Sequence, residues 1–426
     1  MKLSAAKHGV GAAVRRLGRS RLVLFLAVMG PGIIAANAGN DAGGVTTWSI
    51  IGSKYGYSLT WLLIVITPML FVAQEMNARI GIVTGKGLAA LIRERFSLKV
   101  TALAMLATMI ANFGTTLSEF AGVAAASQLL HVPTWVGVPA VAVGLWFLVT
   151  KGSYRKVERV FLALSLIYGT YIVSGLMAGP DWGAAARGAV PSLEITETWL
   201  IVVMAAIGTT ITPWGQFFIQ AAVVDKRISI HDLSLNRREV MIGAFLTTLV
   251  DFFIVVACAE TLFRKGIVVE TAAEAAQALE PLLGAGAKYL FAVGLLNVCI
   301  LAGAILPLAT AYVVCEAFGF EAGLDHSFSE APVFNGILTG FIILPAVITL
   351  IPSLPLVDII VLTQTVNGVL LPVILIFVLK IVNQPEVMGE HVNSRLFNVA
   401  AWTFAIVLIV LSVVLVVTSL PLPFLD

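Results

Sequence analysis

Charged residues are scarce in this chain. Asp, Glu, Lys and Arg make up 12% of its 426 residues, whereas soluble domains carry about 25%. The mean hydropathy is +0.98, and no polar block is long enough to form a separate soluble domain. This composition excludes an ordinary soluble protein and indicates an all-α polytopic membrane protein that lies in the lipid bilayer.

Net charge and clustered cysteines are lacking as well. The formal charge of +2 is close to neutral and argues against a nucleic-acid partner. The three cysteines fall in apolar segments without a CxxC or Cys/His cluster, so neither disulfides nor zinc are indicated. The basic N-terminal segment has no cleavable signal, because no small-residue cleavage site ends the apolar run after it. We expect no resident cofactor.

Long apolar runs are what the chain has instead, and each is long enough to span a bilayer, which takes about 20 residues. The predicted spans are 22–51, 58–78, 100–130, 133–150, 157–178, 197–224, 240–263, 287–316, 333–351, 355–380 and 397–420. Basic residues collect in segment 1–21 and after the second, fourth and sixth spans, on the side expected to be cytoplasmic. The N-terminus is therefore predicted to be cytoplasmic, and the odd span count puts the C-terminus outside.

The first span is interrupted at Gly39-Asn40-Asp41-Ala42-Gly43-Gly44. Each glycine weakens a helix by about 1 kcal/mol relative to alanine, and a carboxylate at membrane depth is costly and usually functional. We expect one half-helix to end near Ala38 and the next to begin near Val45. Backbone carbonyls exposed beside one carboxylate would form a site for a hard cation.

The sixth span carries a second interruption. Pro213, between Gly208 and Gly215, removes a backbone donor and clashes with the preceding turn. Either interruption alone could be a kink without function, but two at matching positions point to a transporter with inverted repeats and a midplane site. We predict one transmembrane transporter domain over 1–426, with a first repeat at 22–178, a second at 197–380 and an extra helix at 397–420.

An ordered set of motifs resembles the Nramp family of divalent-metal transporters. The motifs are residues 30–32 with Asp41, then 52–58, 78–85, 120–122 and 154–158, the sixth span, and Gln364 with Leu371-Pro372. The resemblance covers almost the whole chain. It implies a LeuT-type fold of two inverted five-helix repeats plus an eleventh helix, with helices 1 and 6 broken.

The resemblance also implies a set of metal ligands: Asp41, Ala38, Gly44, Thr209, Thr212 and Gln364. The family's acidic ligand is kept, but its asparagine is Gly44 here and its methionine is Thr212. Sulfur helps to select transition metals, whereas hydroxyl, carboxylate and carbonyl oxygens suit Mg²⁺, which usually keeps several of its waters. The pattern resembles the Nramp-related magnesium transporters and predicts a roomy pocket for largely hydrated Mg²⁺, and also Mn²⁺.

The family's proton path is altered in the same comparison. Its histidine is Trp214 here, its third-helix aspartate is Thr116, and the ninth span, 333–351, contains no charge. We therefore expect a secondary transporter of the plasma membrane that works by alternating access without proton coupling. Trp214 either walls the pocket or belongs to the core.

Three other polar residues lie within the spans. Glu119 and Asp251 are either ion-path residues or satisfied interior acids, since intramembrane acids are functional by default. Asn40 either supports the site or joins two helices by a hydrogen bond. The sequence leaves these choices open.

Three other functions are alternatives to this one. A proton-coupled Mn²⁺/Fe²⁺ importer of the ordinary Nramp type is disfavoured by Thr212, Trp214 and Thr116. A sodium-coupled amino-acid symporter is disfavoured because Asp41 would repel a substrate carboxylate. An intramembrane aspartyl protease could use Asp41 and Asp251, but residues 39–41 depart from that family's Gly-x-Gly-Asp. We expect a transporter and not an enzyme; the sequence leaves the oligomeric state open, and a monomer is compatible with it.

Overall fold

The computed structural model describes residues 30–152, 154–193, 196–272, 274–276, 285–351, 354 and 356–419. The predicted cytoplasmic segment 1–21 and the start of the first span, 22–29, lie outside these residues. The α-helices are α1 (Pro31–Ala38), α2 (Ala42–Tyr55), α3 (Trp61–Thr84), α4 (Leu88–Arg95), α5 (Leu98–Leu129), α6 (Thr134–Lys151), α7 (Tyr154–Ile167), α8 (Gly169–Met177), α9 (Trp182–Arg187), α10 (Glu197–Thr210), α11 (Pro213–Asp225), α12 (Leu233–Thr261), α13 (Ala285–Phe318), α14 (Pro332–Thr349), α15 (Leu356–Val382), α16 (Pro385–Met388) and α17 (Arg395–Ser419). Short 3-10 helices cover Ile230–Asp232, Phe263–Lys265 and Gly389–His391.

The spans follow the predicted order. Within the described ranges, 10 helical segments are long and apolar enough to cross a membrane. One of these segments combines α10 with α11, and another combines most of α7 with α8. The first span adds the short pair α1 and α2. The all-α fold with eleven spans, of which the first and sixth are broken, is confirmed.

The break in the first span is shorter than expected. α1 ends at Ala38 as predicted, but α2 begins at Ala42 and not near Val45. The cause is local, because the Asp41 carboxylate caps α2 by accepting the Gly44 N–H at 2.8 Å. Aspartate is among the best N-cap residues, and its charge suits the positive end of a helix. The cap outweighs the poor helix propensity of the following glycines.

The break in the sixth span is built in a similar way. α10 ends at Thr210, and α11 begins at Pro213, which suits the first position of a helix. The Thr212 hydroxyl caps α11 by accepting the Gly215 N–H at 3.2 Å. The two breaks lie against each other, since a Cβ on Gly39 would meet the Thr210 carbonyl oxygen at 3.0 Å. A side chain at residue 39 would force the two broken spans apart.

The broken spans form the centre of the helix bundle. The most apolar window of the α10–α11 segment is 89% buried, whereas the corresponding window of α6 is 22% buried. Large apolar side chains face outwards from the peripheral helices, including Leu103, Trp135 and Leu396. In a membrane protein this apolar periphery contacts lipid, so the polar residues of the central spans are shielded from it.

Polar contacts join the helices at the end of the bundle where α2 stops. Tyr57, in the loop after α2, donates a hydrogen bond to Glu260 of α12 at 2.8 Å. Burial, together with this contact, raises the pKa of Tyr57 well above its usual value. Glu260 also accepts the Asp181 N–H at 2.8 Å and pairs with Arg264 at 2.9 Å. These bonds tie α2 and α12 to the loop that precedes α9.

A second network joins the helices where α1 begins. Glu239 of α12 accepts the Gly30 and Ile33 N–H groups at 3.0 and 2.9 Å, which caps α1 from a neighbouring span. Close by, Lys226 pairs with Glu158 at 2.7 Å. The start of α1 and the loop after α2 are therefore both fixed by hydrogen bonds to α12.

Candidate metal-binding site

Asp41 lies at the centre of the candidate site and is fully buried. Its Oδ1 atom accepts hydrogen bonds from the Gly44 N–H at 2.8 Å, the Thr209 hydroxyl at 3.2 Å and the Gln364 amide at 3.3 Å. These partners come from the first, sixth and tenth spans. The structure thus brings Asp41, Thr209 and Gln364 together, as the sequence led us to expect.

Glu119 of α5 stabilises the break beside Asp41. In a continuous helix the Ala42 N–H would donate to the Ala38 carbonyl. Here it donates to Glu119 instead, at 3.1 Å to Oε2 and 3.3 Å to Oε1. The Ala38 carbonyl is thereby released from that bond, at the position predicted to face the metal. Glu119 is an interior acid with a hydrogen-bond partner.

Gly44 and Thr212 are placed differently from the other predicted ligands. Gly44 presents its N–H to Asp41, and a Cβ there would lie 3.2 Å from Thr209 Oγ1. The Thr212 hydroxyl caps α11, and its carbonyl accepts the Gln216 amide at 3.2 Å. Among the described residues, Thr212 is not a hydrogen-bond partner of Asp41. The roles of Gly44 and Thr212 as metal ligands stay predictions.

A hydrogen-bond chain that the sequence analysis missed orients Gln364. The Asn367 amide donates to Gln364 Oε1 at 3.3 Å and to the Thr115 hydroxyl at 3.1 Å. The available signal was a second amide, Asn367, about one turn after Gln364 in the tenth span. This chain connects Asp41 through the tenth span to α5.

Asn40 and Asp251 form a neighbouring polar pair. Asn40 donates through Nδ2 to the Thr247 carbonyl at 3.1 Å, and its own carbonyl accepts the Tyr168 hydroxyl at 3.2 Å. Asp251 of α12 is fully buried with Asn40 and Asp41 as polar neighbours. Within the described residues, neither Asp251 oxygen makes a contact with the distance and angles of a hydrogen bond. Asn40 therefore joins two helices, and its side chain is also the polar neighbour of Asp251.

The positions of the family's proton path hold groups that do not titrate. Trp214 is fully buried, and its side chain packs among the apolar residues of the core. Thr116 donates to the Asn112 carbonyl at 2.7 Å. α14, the ninth span, contains no charged residue along its length.

One thiol that the sequence did not single out lies near the break. A Cβ on Gly122 of α5 would lie 2.4 Å from Cys299 Sγ and 2.9 Å from the Ala42 Cβ. The thiol therefore packs at Gly122 on the side where α2 begins. Cysteines are commonly buried in apolar segments, so the sequence alone gave no signal for this position.

The site offers mostly oxygen, and little of it is charged. In the described part of the chain, no group of three or more His, Cys, Asp or Glu side chains could hold a metal ion. An ion at Asp41 would depend on one carboxylate together with hydroxyl, amide and carbonyl oxygens and water. All the residues predicted for the site or its surroundings are buried.

Two broken helices that meet at a buried carboxylate, within a bundle of inverted repeats, define a secondary transporter of the LeuT-type fold. A family model described as "Natural resistance-associated macrophage protein-like", or Nramp, matches residues 32–418. The chain belongs to the Nramp family, whose members are metal-ion transporters and not enzymes. The protease and amino-acid symporter alternatives are thereby set aside.

Individual relatives agree with this assignment. The divalent metal cation transporter MntH of Deinococcus radiodurans is 30% identical over 409 residues, which cover 93% of this chain and 90% of that protein. The manganese transporter of Eremococcus coleocola has a similar structure, with a TM-score of 0.75 and 20% identity over 93% of this chain and 87% of that one. MhsT, solved in complex with L-phenylalanine, has a TM-score of 0.61 and 12% identity over 94% of this chain and 99% of its own. These structures support the fold.

Proposed function

We propose that this protein carries divalent metal ions across the plasma membrane by alternating access, with Mg²⁺ as the preferred ion and Mn²⁺ as a second substrate. The divalent class is supported by the names of its relatives, among them the MntH protein of Deinococcus radiodurans. The observation that carries the Mg²⁺ preference is the chemistry around Asp41. A hydroxyl from Thr209 and an amide from Gln364 contact this carboxylate.

The ligand chemistry favours a hydrated ion over a tightly coordinated one. Mg²⁺ dehydrates reluctantly and is usually bound by one or two carboxylates plus waters. Asp41 is one such carboxylate, and the residue that replaces the family's methionine, Thr212, offers a hydroxyl where sulfur would favour softer metals. Gly44 adds no side-chain bulk at the start of α2. Each of these features suits an ion that keeps part of its water shell.

We further propose that transport does not involve protons. Thr116 and Trp214 cannot carry a proton at physiological pH, and no charged group on α14 could relay one. A membrane potential supplies about 2.3 kcal/mol per charge per 100 mV, so about twice that for a divalent ion. This energy sustains roughly a thousandfold ion gradient at 100 mV, and no proton is needed for accumulation.

Basic side chains also indicate how the chain is oriented in the membrane. Basic side chains follow the second, fourth and sixth spans, including the exposed Arg93 and the half-buried Lys226. Basic residues near the ends of spans favour the cytoplasmic side. The end of the bundle where α1 begins would then face the cytoplasm, with the N-terminus there and the C-terminus outside.

A proton-coupled Mn²⁺ importer is the second candidate. It is favoured by the retention of Glu119, a buried acid that contacts the start of α2. The manganese transporter of Eremococcus coleocola, which shares the fold, is named for that ion. In that case Mn²⁺ should be taken up and Mg²⁺ rejected, and uptake should acidify the interior.

Uptake into proteoliposomes tests the ion preference. The purified protein should admit Mg²⁺ and Mn²⁺ and transport Ca²⁺ poorly, each measured with an internal ion-sensitive dye. The Asp232→Asn variant is the matched control, because it makes the same type of change as Asp41→Asn in the 3-10 helix before α12. If Mn²⁺ entered and millimolar Mg²⁺ neither entered nor competed, the Mg²⁺ proposal would be wrong.

A further inference from the structure

A cavity of about 600 Å³ lies between α6 and α7, where α6 ends and the chain turns into α7. The residues that matter for its chemistry are Gly144, Phe147, Lys151, Lys156, Arg159 and Val160. The members on each helix lie on one face of that helix, because residues three or four apart share a face. The cavity is at the periphery of the bundle, since the most apolar window of α6 is only 22% buried.

The end of the cavity next to the turn is basic. Lys151, Lys156 and Arg159 are all exposed, and no ion pair between described residues includes any of them. The described residues that line the cavity include no acid. Three positive charges without a counter-charge in one concave surface attract an anion.

The one acid on this turn of α7, Glu158, faces away from the cavity. It lies between Lys156 and Arg159 in the sequence, but its carboxylate pairs with Lys226 at 2.7 Å. A Cβ on Gly30 would lie 2.3 Å from Glu158 Oε1, so the side chain points to the start of α1. Glu158 therefore leaves the charge of the cavity uncompensated.

The part of the cavity that lies deeper in the membrane is apolar. Phe147 is 54% exposed and Val160 is 38% exposed. A Cβ on Gly144 would meet no atom within 4 Å, so the space beside it is open. Gly144 and Lys151 are seven residues apart on α6, which is about 10 Å along the helix axis. The cavity thus changes from basic to apolar over a distance that fits a phospholipid headgroup and the start of its acyl chain.

Close contacts fix the two helix ends that form the cavity. The Gly152 N–H donates to the Leu148 carbonyl at 3.0 Å, which completes the last turn of α6. A Cβ on Gly152 would lie 2.8 Å from Cγ2 of the buried Val157. The ends of α6 and α7 are therefore packed together, and the cavity is already formed without a ligand.

We propose that this cavity binds an anionic phospholipid, with its phosphate at the basic end and one acyl chain along the apolar part. Basic pockets between transmembrane helices at the cytoplasmic surface bind anionic headgroups, and α6 ends on the side proposed to be cytoplasmic. The Arg159 guanidinium can donate to two oxygens of one phosphate. A free phosphate ion would use the basic end alone, whereas a phospholipid uses the whole cavity. The site is independent of which metal ion is carried.

Binding of radiolabelled phosphatidylglycerol to the purified full chain in detergent tests the site, with phosphatidylcholine as the neutral comparison. Wild type should bind phosphatidylglycerol saturably and about tenfold or more tightly than phosphatidylcholine. The double variant Lys156→Gln/Arg159→Gln should weaken phosphatidylglycerol binding about 25-fold, which is about fivefold for each charge. The matched control, Arg93→Gln/Lys99→Gln, removes the same two charge types from exposed positions outside the cavity and should bind as wild type does.

Gly144→Leu tests the apolar part and keeps all three positive charges. The new side chain fills the open space beside α6. It should weaken phosphatidylglycerol binding about tenfold, as expected when one or two methylene groups of the acyl chain are displaced. Millimolar inorganic phosphate should not displace the lipid from wild type.

Three results would overturn the proposal. The first is equal affinity of wild type for the two lipids, and the second is unchanged phosphatidylglycerol affinity in folded Lys156→Gln/Arg159→Gln. The third is displacement of the lipid by millimolar phosphate together with unchanged affinity in Gly144→Leu, which would indicate a site for a free anion. If the double variant did not fold, Lys151→Gln would serve instead, with an expected loss of about fivefold, and unchanged affinity there would equally refute the site. No metal ion is present in these measurements, so a failure of the Mg²⁺ transport proposal leaves them intact.

Discussion

Replacing Asp41 by asparagine should separate metal binding from folding. The substitution keeps the size of the side chain and one oxygen that can accept the Gly44 N–H, so the cap of α2 survives. It removes the carboxylate charge from a fully buried position. Alanine at this position would also remove the cap, at a cost of about 1 kcal/mol. Asparagine is therefore the cleaner variant.

The expected loss of affinity follows from the burial of the site. Removing one partner of a buried, hydrogen-bonded charge pair costs about 2–5 kcal/mol. This corresponds to roughly a 30- to 4,000-fold weaker dissociation constant for the metal. The Asp41→Asn protein should therefore show no measurable transport at ion concentrations that saturate wild type.

Titration calorimetry with Mn²⁺, followed by flux in proteoliposomes, measures both effects. Mn²⁺ serves as the probe because the proposed function includes it as a substrate. The thermal unfolding midpoint of the variant should stay close to that of wild type. A folded Asp41→Asn protein with Mn²⁺ affinity within about threefold of wild type would refute the reasoning, because that is less than 1 kcal/mol.

Three further predictions follow from neighbouring positions. The double variant Gly44→Asn/Thr212→Met should raise the ratio of Mn²⁺ to Mg²⁺ transport, because sulfur is a poor Mg²⁺ ligand and both changes add bulk. An unchanged flux ratio in the folded double variant would contradict this. Glu119→Gln keeps an acceptor for the start of α2 and should retain transport, whereas Glu119→Ala should lose most of it; equal flux in the two variants would show that the bond does not matter. Tyr57→Phe removes one hydrogen bond of about 1 kcal/mol, so the bundle should open more often and buried Cys258 should be alkylated about fivefold faster. An unchanged alkylation rate would mean that this bond does not hold the bundle closed.

Local chemistry explains which parts of the fold could be predicted from the sequence. Residues close in sequence cause the breaks at Asp41 and Pro213: glycines weaken the helix, a proline lacks a backbone donor, and polar side chains cap the second half-helices. The first break is shorter than helix propensity alone predicts, because the Asp41 side chain caps α2. Runs of apolar residues are sufficient to predict the order of the membrane spans.

Long-range contacts explain what could not be predicted. Glu119 is 77 residues from its partner Ala42, and Asn367 is 252 residues from Thr115. Such pairs depend on how the spans pack, which a single sequence does not specify. The same limit applied to Trp214, whose place in the core became evident only from its surroundings.

Simultaneous recording of metal and pH inside proteoliposomes tests the central claim most directly. With an inward metal gradient and a negative internal potential, we predict Mg²⁺ and Mn²⁺ entry at unchanged internal pH. Entry should depend on the potential and be absent in Asp41→Asn vesicles. Internal acidification that requires Mg²⁺ or Mn²⁺ and disappears in Asp41→Asn would contradict the account and establish proton coupling.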